Sequence, residues 1–155
     1  MSIEAALTEI ESQVGKETHT SDWLVIDQTQ INAFADATHD HQWIHIDPER
    51  ARAESPFKTP VAHGFLTLSL VPSLRGLVEA DKPLFPGVKN VINYGLNKVR
   101  FPAPVPVDAR IRGHFTLSSV SRKGDVLELV EVYTAEVEGQ GKPACVAETI
   151  MRLYF

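Results

Sequence analysis

The sequence predicts an α+β fold in which an antiparallel sheet wraps one buried helix, and three observations carry that expectation. Helical spacing and helix caps fill the chain up to about residue 87. One stretch there, Phe65 to Val78, is apolar on most sides. After it come long segments of period two, joined by short turns rich in glycine and charge.

In chain order, Ile3, Leu7, Ile10 and Val14 recur at helical spacing and stop at Gly15, which predicts an amphipathic helix in an N-terminal extension over residues 1–20. Asp27 followed by Gln30 is a capping-box pattern, and Ile31, Phe34 and Ala35 give the next helix one apolar face, running out near Thr38. THDHQWIHI, from Thr38 to Ile46, has no clean period, whereas Asp47-Pro48-Glu49 supplies an N-cap, a first-turn proline and an acidic first turn. Residues Asp40 to His45 are therefore expected in a loop between two short helices. SPFKTP, with Pro56 and Pro60, reads as extended or turning chain.

His63-Gly64 introduces the apolar stretch, expected as a central buried helix over residues 64–80, kinked or broken at Pro72, which lacks a backbone donor. From Val91 to Phe101 the side chains alternate along a long strand. FPAPVPVDA interrupts, because its prolines cannot serve a central ladder. Further strands follow from Arg110, from Val126 to Val137 and from about Ala144 to Phe155, separated by SRKGD and EGQGK. No repeat or low-complexity tract divides the 155 residues, so one domain spans 1–155.

Composition limits the function classes. A net charge of −5 and a pI near 5.6 leave no global positive field for a phosphate backbone, which argues against nucleic acid as a partner. No apolar run is long enough for a membrane span, and the acidic N-terminus does not read as a signal peptide. Cys145, the single cysteine, excludes an intrachain disulfide and fits a reducing cytoplasm; it reads as a small apolar strand residue, not a nucleophile.

Asp40 and His45, separated by four residues in a capped loop, offer a carboxylate and an imidazole in reach of one water, and Gly64 offers a helix-start N–H. Hydration of an enoyl thioester needs a base for water, an acid for C2 and donors to the thioester oxygen. The same residues also admit blander readings, an Asx-turn aspartate and a satisfied half-buried histidine. His39, Asp40, His41 and His45 are bunched without recognisable zinc spacing, so no metal is expected. Lys98 and Arg100 share one strand face, open to ligand phosphates, a partner subunit or plain solvent. Trp43 is expected as a wall of the acyl pocket.

FADATHDHQWIHIDPERA followed by PVAHGFLTLSL resembles the signature of the MaoC-like, R-specific enoyl-CoA hydratases, and specifically their NodN-like branch. INYGLNKVRFPAPVPVDARIR resembles the same branch, and the similarity runs from about Ser21 to the C-terminus. The resemblance implies a hot-dog fold, a homodimer and reversible addition of water to trans-2-enoyl-CoA, with coenzyme A part of the substrate and no separate cofactor. It implies Asp40 and His45 as the acid/base pair, Gly64 of His63-Gly64 as the oxyanion donor, and Ser69 as a group positioning the catalytic loop. The chain departs from many relatives at His39, where they have glycine, and at Gln42, where they have asparagine and which keeps an amide to orient the loop. A hot-dog thioesterase and a non-catalytic acyl-thioester-binding protein are the competing functions.

Overall fold

The computed structural model describes residues 2–79 and 81–155. Four long strands carry the fold: β3 (Asn90–Arg100), β4 (Arg110–Lys123), β5 (Val126–Val137) and β6 (Cys145–Tyr154). Two short ones precede them, β1 (Glu17–Thr20) and β2 (Leu24–Val25), both paired antiparallel with β4. The sheet order is β1-β4-β5-β6-β3, with every pairing antiparallel. β1 and β2 lie ahead of the region expected to hold strands. ETHT and LV are too short to show a period and are held by the ladder they join.

Strict alternation on β5 buries Leu127, Leu129, Glu131, Tyr133, Ala135 and Val137 and turns the intervening residues outward. One glutamate therefore lies in an otherwise apolar row. It is met by Arg75, whose Nε donates to both Glu131 carboxylate oxygens at 3.1 and 3.0 Å and whose Nη2 donates to Oε1 at 2.8 Å. This pair separates two apolar clusters. One gathers Ile31, Leu66, Val71, Phe115 and Tyr133; the other gathers Ala6, Ile10, Leu117, Leu129 and Leu153.

The second cluster is where α1 (Ile3–Glu11) docks, capped by Ser2. α1 stops before Val14, and the chain turns at Gly15, whose φ of 82° suits glycine. The N-terminal segment thus packs on the sheet through α1 and pairs with it through β1. α2 (Gln28–Thr38) starts as expected, with the Asp27 carboxylate accepting from the Gln30 N–H at 2.8 Å. α4 (Pro48–Glu54) follows its Asp47 cap.

The central helix is shorter than expected and is broken. α5 (Gly64–Ser69) and α6 (Val71–Arg75) meet at Leu70, and Pro72 sits in the first turn of α6, where its missing N–H costs least. Gly76, at φ 80°, then ends α6, so residues 76–79 are not helical and residue 80 lies outside those described. Similarly, part of the Asp40–His45 loop is a single helical turn, α3 (Trp43–Ile46), which carries His45.

Candidate active site

The site forms where α2 ends, α3 turns and α5 begins. His39 closes α2 in the left-handed region at φ 61° and redirects the chain to Asp40. This gives His39 a role that its residue type did not suggest, in a conformation that glycine adopts without strain. The Asp40 side chain is 52% exposed, and its Oδ1 accepts from the Gln42 N–H at 3.3 Å, the Asx contact that an isolated loop aspartate would also make. Gln42 is itself exposed and caps α3 without a side-chain hydrogen bond.

His45 is 7% exposed, and its Nδ1 lies 2.6 Å from the Val61 carbonyl. A carbonyl only accepts, so the proton is on Nδ1 and the Nε2 lone pair is left free. The main chain of His45 is pinned as well, by the Gln28 Nε2, which donates to its carbonyl at 2.7 Å. Burial pushes the His45 pKa below its ordinary value; the Val61 hydrogen bond raises it in part, the neighbouring His63 lowers it further and Asp40 raises it.

His63, 2% exposed, stacks on His45 with ring centroids 3.8 Å apart and planes 25° from parallel. Its Nε2 donates to the main-chain carbonyl of Asp40 at 3.0 Å and lies 4.0 Å from the Asp40 carboxylate. Asp40, His45 and His63 thus gather ligand-type atoms within 4.8 Å of one another.

Gly64 opens α5, and the first N–H groups of a helix have no partner within it. A Cβ at position 64 would lie 3.0 Å from the Phe101 ring, so a side chain there would need that ring to shift by a few tenths of an ångström. His45 and Gly64 border one cavity of about 300 Å³. Ile44, Phe57, Phe101 and Ala144 supply its apolar wall. Trp43, expected in that wall, lies under the Arg50 guanidinium at 4.4 Å.

The structure brings Asp40, His45, His63 and Gly64 together and leaves three other expected residues apart. Ser69 Oγ donates to the Phe65 carbonyl at 2.6 Å, within its own helix, and borders a second groove shared with Asn93, Tyr94 and Leu96. Lys98 and Arg100 are exposed on β3, and Arg100 donates to its neighbour's carbonyl at Val99. Sequence reasoning missed Gln28 and Phe101. Gln28 opens α2 without any motif, while Phe101 stands between a strand and a proline-rich crossover, a place where an exposed aromatic could have drawn notice. Burial pushes the Cys145 thiol up to about 12, in keeping with an inert strand residue.

Comparisons with known proteins identify the family. Residues 9–140 match the family model described as MaoC like domain. The chain is 51% identical over 148 residues to 3-hydroxyacyl-thioester dehydratase Z of Mycobacterium tuberculosis, covering 95% of each chain. It is 46% identical to Nodulation protein N of Rhizobium meliloti, covering 95% of this chain and 90% of that one. Among solved structures, the monoamine oxidase regulatory protein from Archaeoglobus superposes with a TM-score of 0.77 at 21% identity, over 91% of this chain and 90% of that one. The (R)-hydratase from A. caviae involved in PHA biosynthesis gives 0.66 at 23% identity, over 88% and 95%. These two carry the fold alone, which is the hot-dog fold of an antiparallel sheet around a central helix. The chain belongs to the MaoC-like dehydratase family and is a hydro-lyase with the hot-dog fold.

Proposed function

We propose that the protein catalyses reversible hydration of trans-2-enoyl-CoA to the (R)-3-hydroxyacyl-CoA, with Asp40 and His45 as its acid/base pair. The observation that carries the reading is the buried His45, whose Nδ1 proton is committed to Val61 so that the Nε2 lone pair is free, in a ring that brings a nitrogen within 4.8 Å of an Asp40 carboxylate oxygen. As a water oxygen bonds to C3 of the substrate, His45 Nε2 takes one of its protons while the carboxylate holds the other. The pair then returns one proton to C2, and no net proton is consumed. The Gly64 N–H stabilises the enolate charge that builds on the thioester oxygen between these steps.

The ligand is the coenzyme A thioester itself, so no separate cofactor is required. Lys98 and Arg100, exposed on β3 and apart from the Asp40–His45 cluster, are the charged side chains proposed for its phosphates. Strand β3 leaves one edge unpaired and exposes Ile92, Tyr94 and Leu96, the last two by 54% and 46%. Such an edge favours pairing with a second copy, and a homodimer is the expected assembly. Light scattering tests this: a monomer at micromolar concentration would contradict it. No helix among the described residues is long and apolar enough to cross a membrane, and a cytoplasmic enzyme fits this reading.

The experiment is loss of enoyl absorbance with crotonyl-CoA and with longer enoyl-CoA substrates, followed by chiral analysis of the product. Formation of the (R)-alcohol supports the proposal. Release of free thiol would replace it with a thioesterase, and saturable binding without turnover with a binding protein.

A further inference from the structure

Asp40 occupies a difficult position for a group that must meet a substrate accurately. It follows a left-handed residue, its side chain is half exposed, and its own internal contact is the 3.3 Å Asx bond to Gln42. His45, by contrast, is pinned at its ring by Val61 and at its main chain by Gln28. Something must couple the loosely held member of the pair to the firmly held one.

His63 is the side chain that touches both. Its carbonyl accepts from the N–H groups of Leu66 and Thr67 at 3.0 and 3.3 Å, which ties it to the start of α5. Its ring lies between Phe34 of α2, at a centroid distance of 4.9 Å, and His45 of α3. A phenylalanine could keep the ring contacts with Phe34 and His45. The imidazole adds an Nε2–H that holds the Asp40 carbonyl, together with a buried Nδ1 that has no hydrogen-bond partner among the described residues. Phenylalanine cannot make the Nε2 bond, which is what the imidazole adds to the packing.

We propose that His63 is a positioning residue: its Nε2–H fixes the main chain of Asp40 while its ring backs His45, so that the two groups face the substrate as one unit beside Gly64. The inference rests on the Asp40/His45 reading above. It differs from a role in binding, because the side chain is buried behind the pair. Its loss should therefore appear in turnover while substrate affinity stays nearly constant.

Two substitutions separate the donor from the ring. H63F keeps the ring and removes the donor, whereas the amide nitrogen of H63Q reaches about as far as Nε2 and restores the donor without the ring. In hydration of crotonyl-CoA, H63F should lower kcat by about tenfold to a hundredfold, the loss expected from a small misplacement of a reacting group, with KM changed less than about twofold. H63Q should recover kcat to within about fivefold of the wild type. If H63F does not fold, as judged by melting, H63A takes its place as the variant without a donor. Folded donor-less protein that keeps more than about half of the wild-type kcat, or H63Q that falls as low as H63F, would overturn the inference while leaving the hydratase reading intact. A wild-type protein unable to hydrate any enoyl thioester would overturn both.

Discussion

The Nδ1 of His45 donates to the Val61 carbonyl at 2.6 Å, and this one bond sets both the tautomer and the orientation of the ring that faces the cavity. Burial lowers the pKa of the same ring from the ordinary 6.5, so the folded protein binds the His45 proton less readily than the unfolded chain does. The stability that depends on neutral His45 is therefore fully present above pH 6.5 and is lost as the pH falls from there through the lowered value.

Catalysis follows the same sign. A neutral His45 is available through the neutral range, so the acid limb of kcat/KM should have its midpoint below pH 6.5. A pH series with crotonyl-CoA measures it. A midpoint above 6.5 would mean that the limb belongs to another group or that the ring is charged in the free enzyme.

His39 supplies the left-handed turn that presents Asp40, at φ 61°. A side chain with a Cβ pays roughly 1–2 kcal/mol in that region, which glycine avoids. H39G should therefore raise stability by up to about 1 kcal/mol in denaturant unfolding, part of the gain being offset by the greater freedom of glycine in the unfolded chain. Hydration activity should be retained. A clear loss of activity in the stable variant would show that the His39 side chain itself serves the reaction.

The Arg75–Glu131 pair is almost wholly buried, at 4% and 1% exposure. Removing one partner strands the other charge, so R75L or E131L alone should cost about 3–5 kcal/mol of unfolding free energy. The R75L/E131L double variant should cost much less than the sum, since no uncompensated charge remains. Additive losses in urea unfolding would show that the pair contributes no coupling.

These residues also mark how far the sequence could be read. The period of β5 from Val126 to Val137 was legible because one face is buried and the other is not, and the caps at Asp27 and Asp47 were legible because a side-chain oxygen does the same work wherever a helix starts. The end of the central helix was harder. Leu77 and Val78 continue its apolar spacing, yet Gly76 had already turned the chain, and a left-handed glycine outweighs periodicity. Glu131 at an inward position of β5 was visible as a break in the apolar row, but its partner lies 56 residues earlier and only the fold pairs them. In the site, Asp40, His45 and Gly64 were singled out by the resemblance of two motif blocks to a known family, since spacing alone left blander readings open. Gln28 and Phe101 reach the site through tertiary packing, which no local pattern encodes.

The central claim is that Asp40 and His45 act together on one water. The most direct measurement is the turnover of crotonyl-CoA by D40N, H45Q and the double variant, alongside thermal melting. Each single change should lower kcat by about a hundredfold to ten-thousandfold with a small change in Tm. The double variant should be scarcely slower than either single one, because groups that work as a unit lose their function together. Near-normal hydration by folded D40N would contradict the role of Asp40, and the same result for H45Q would contradict the shared water.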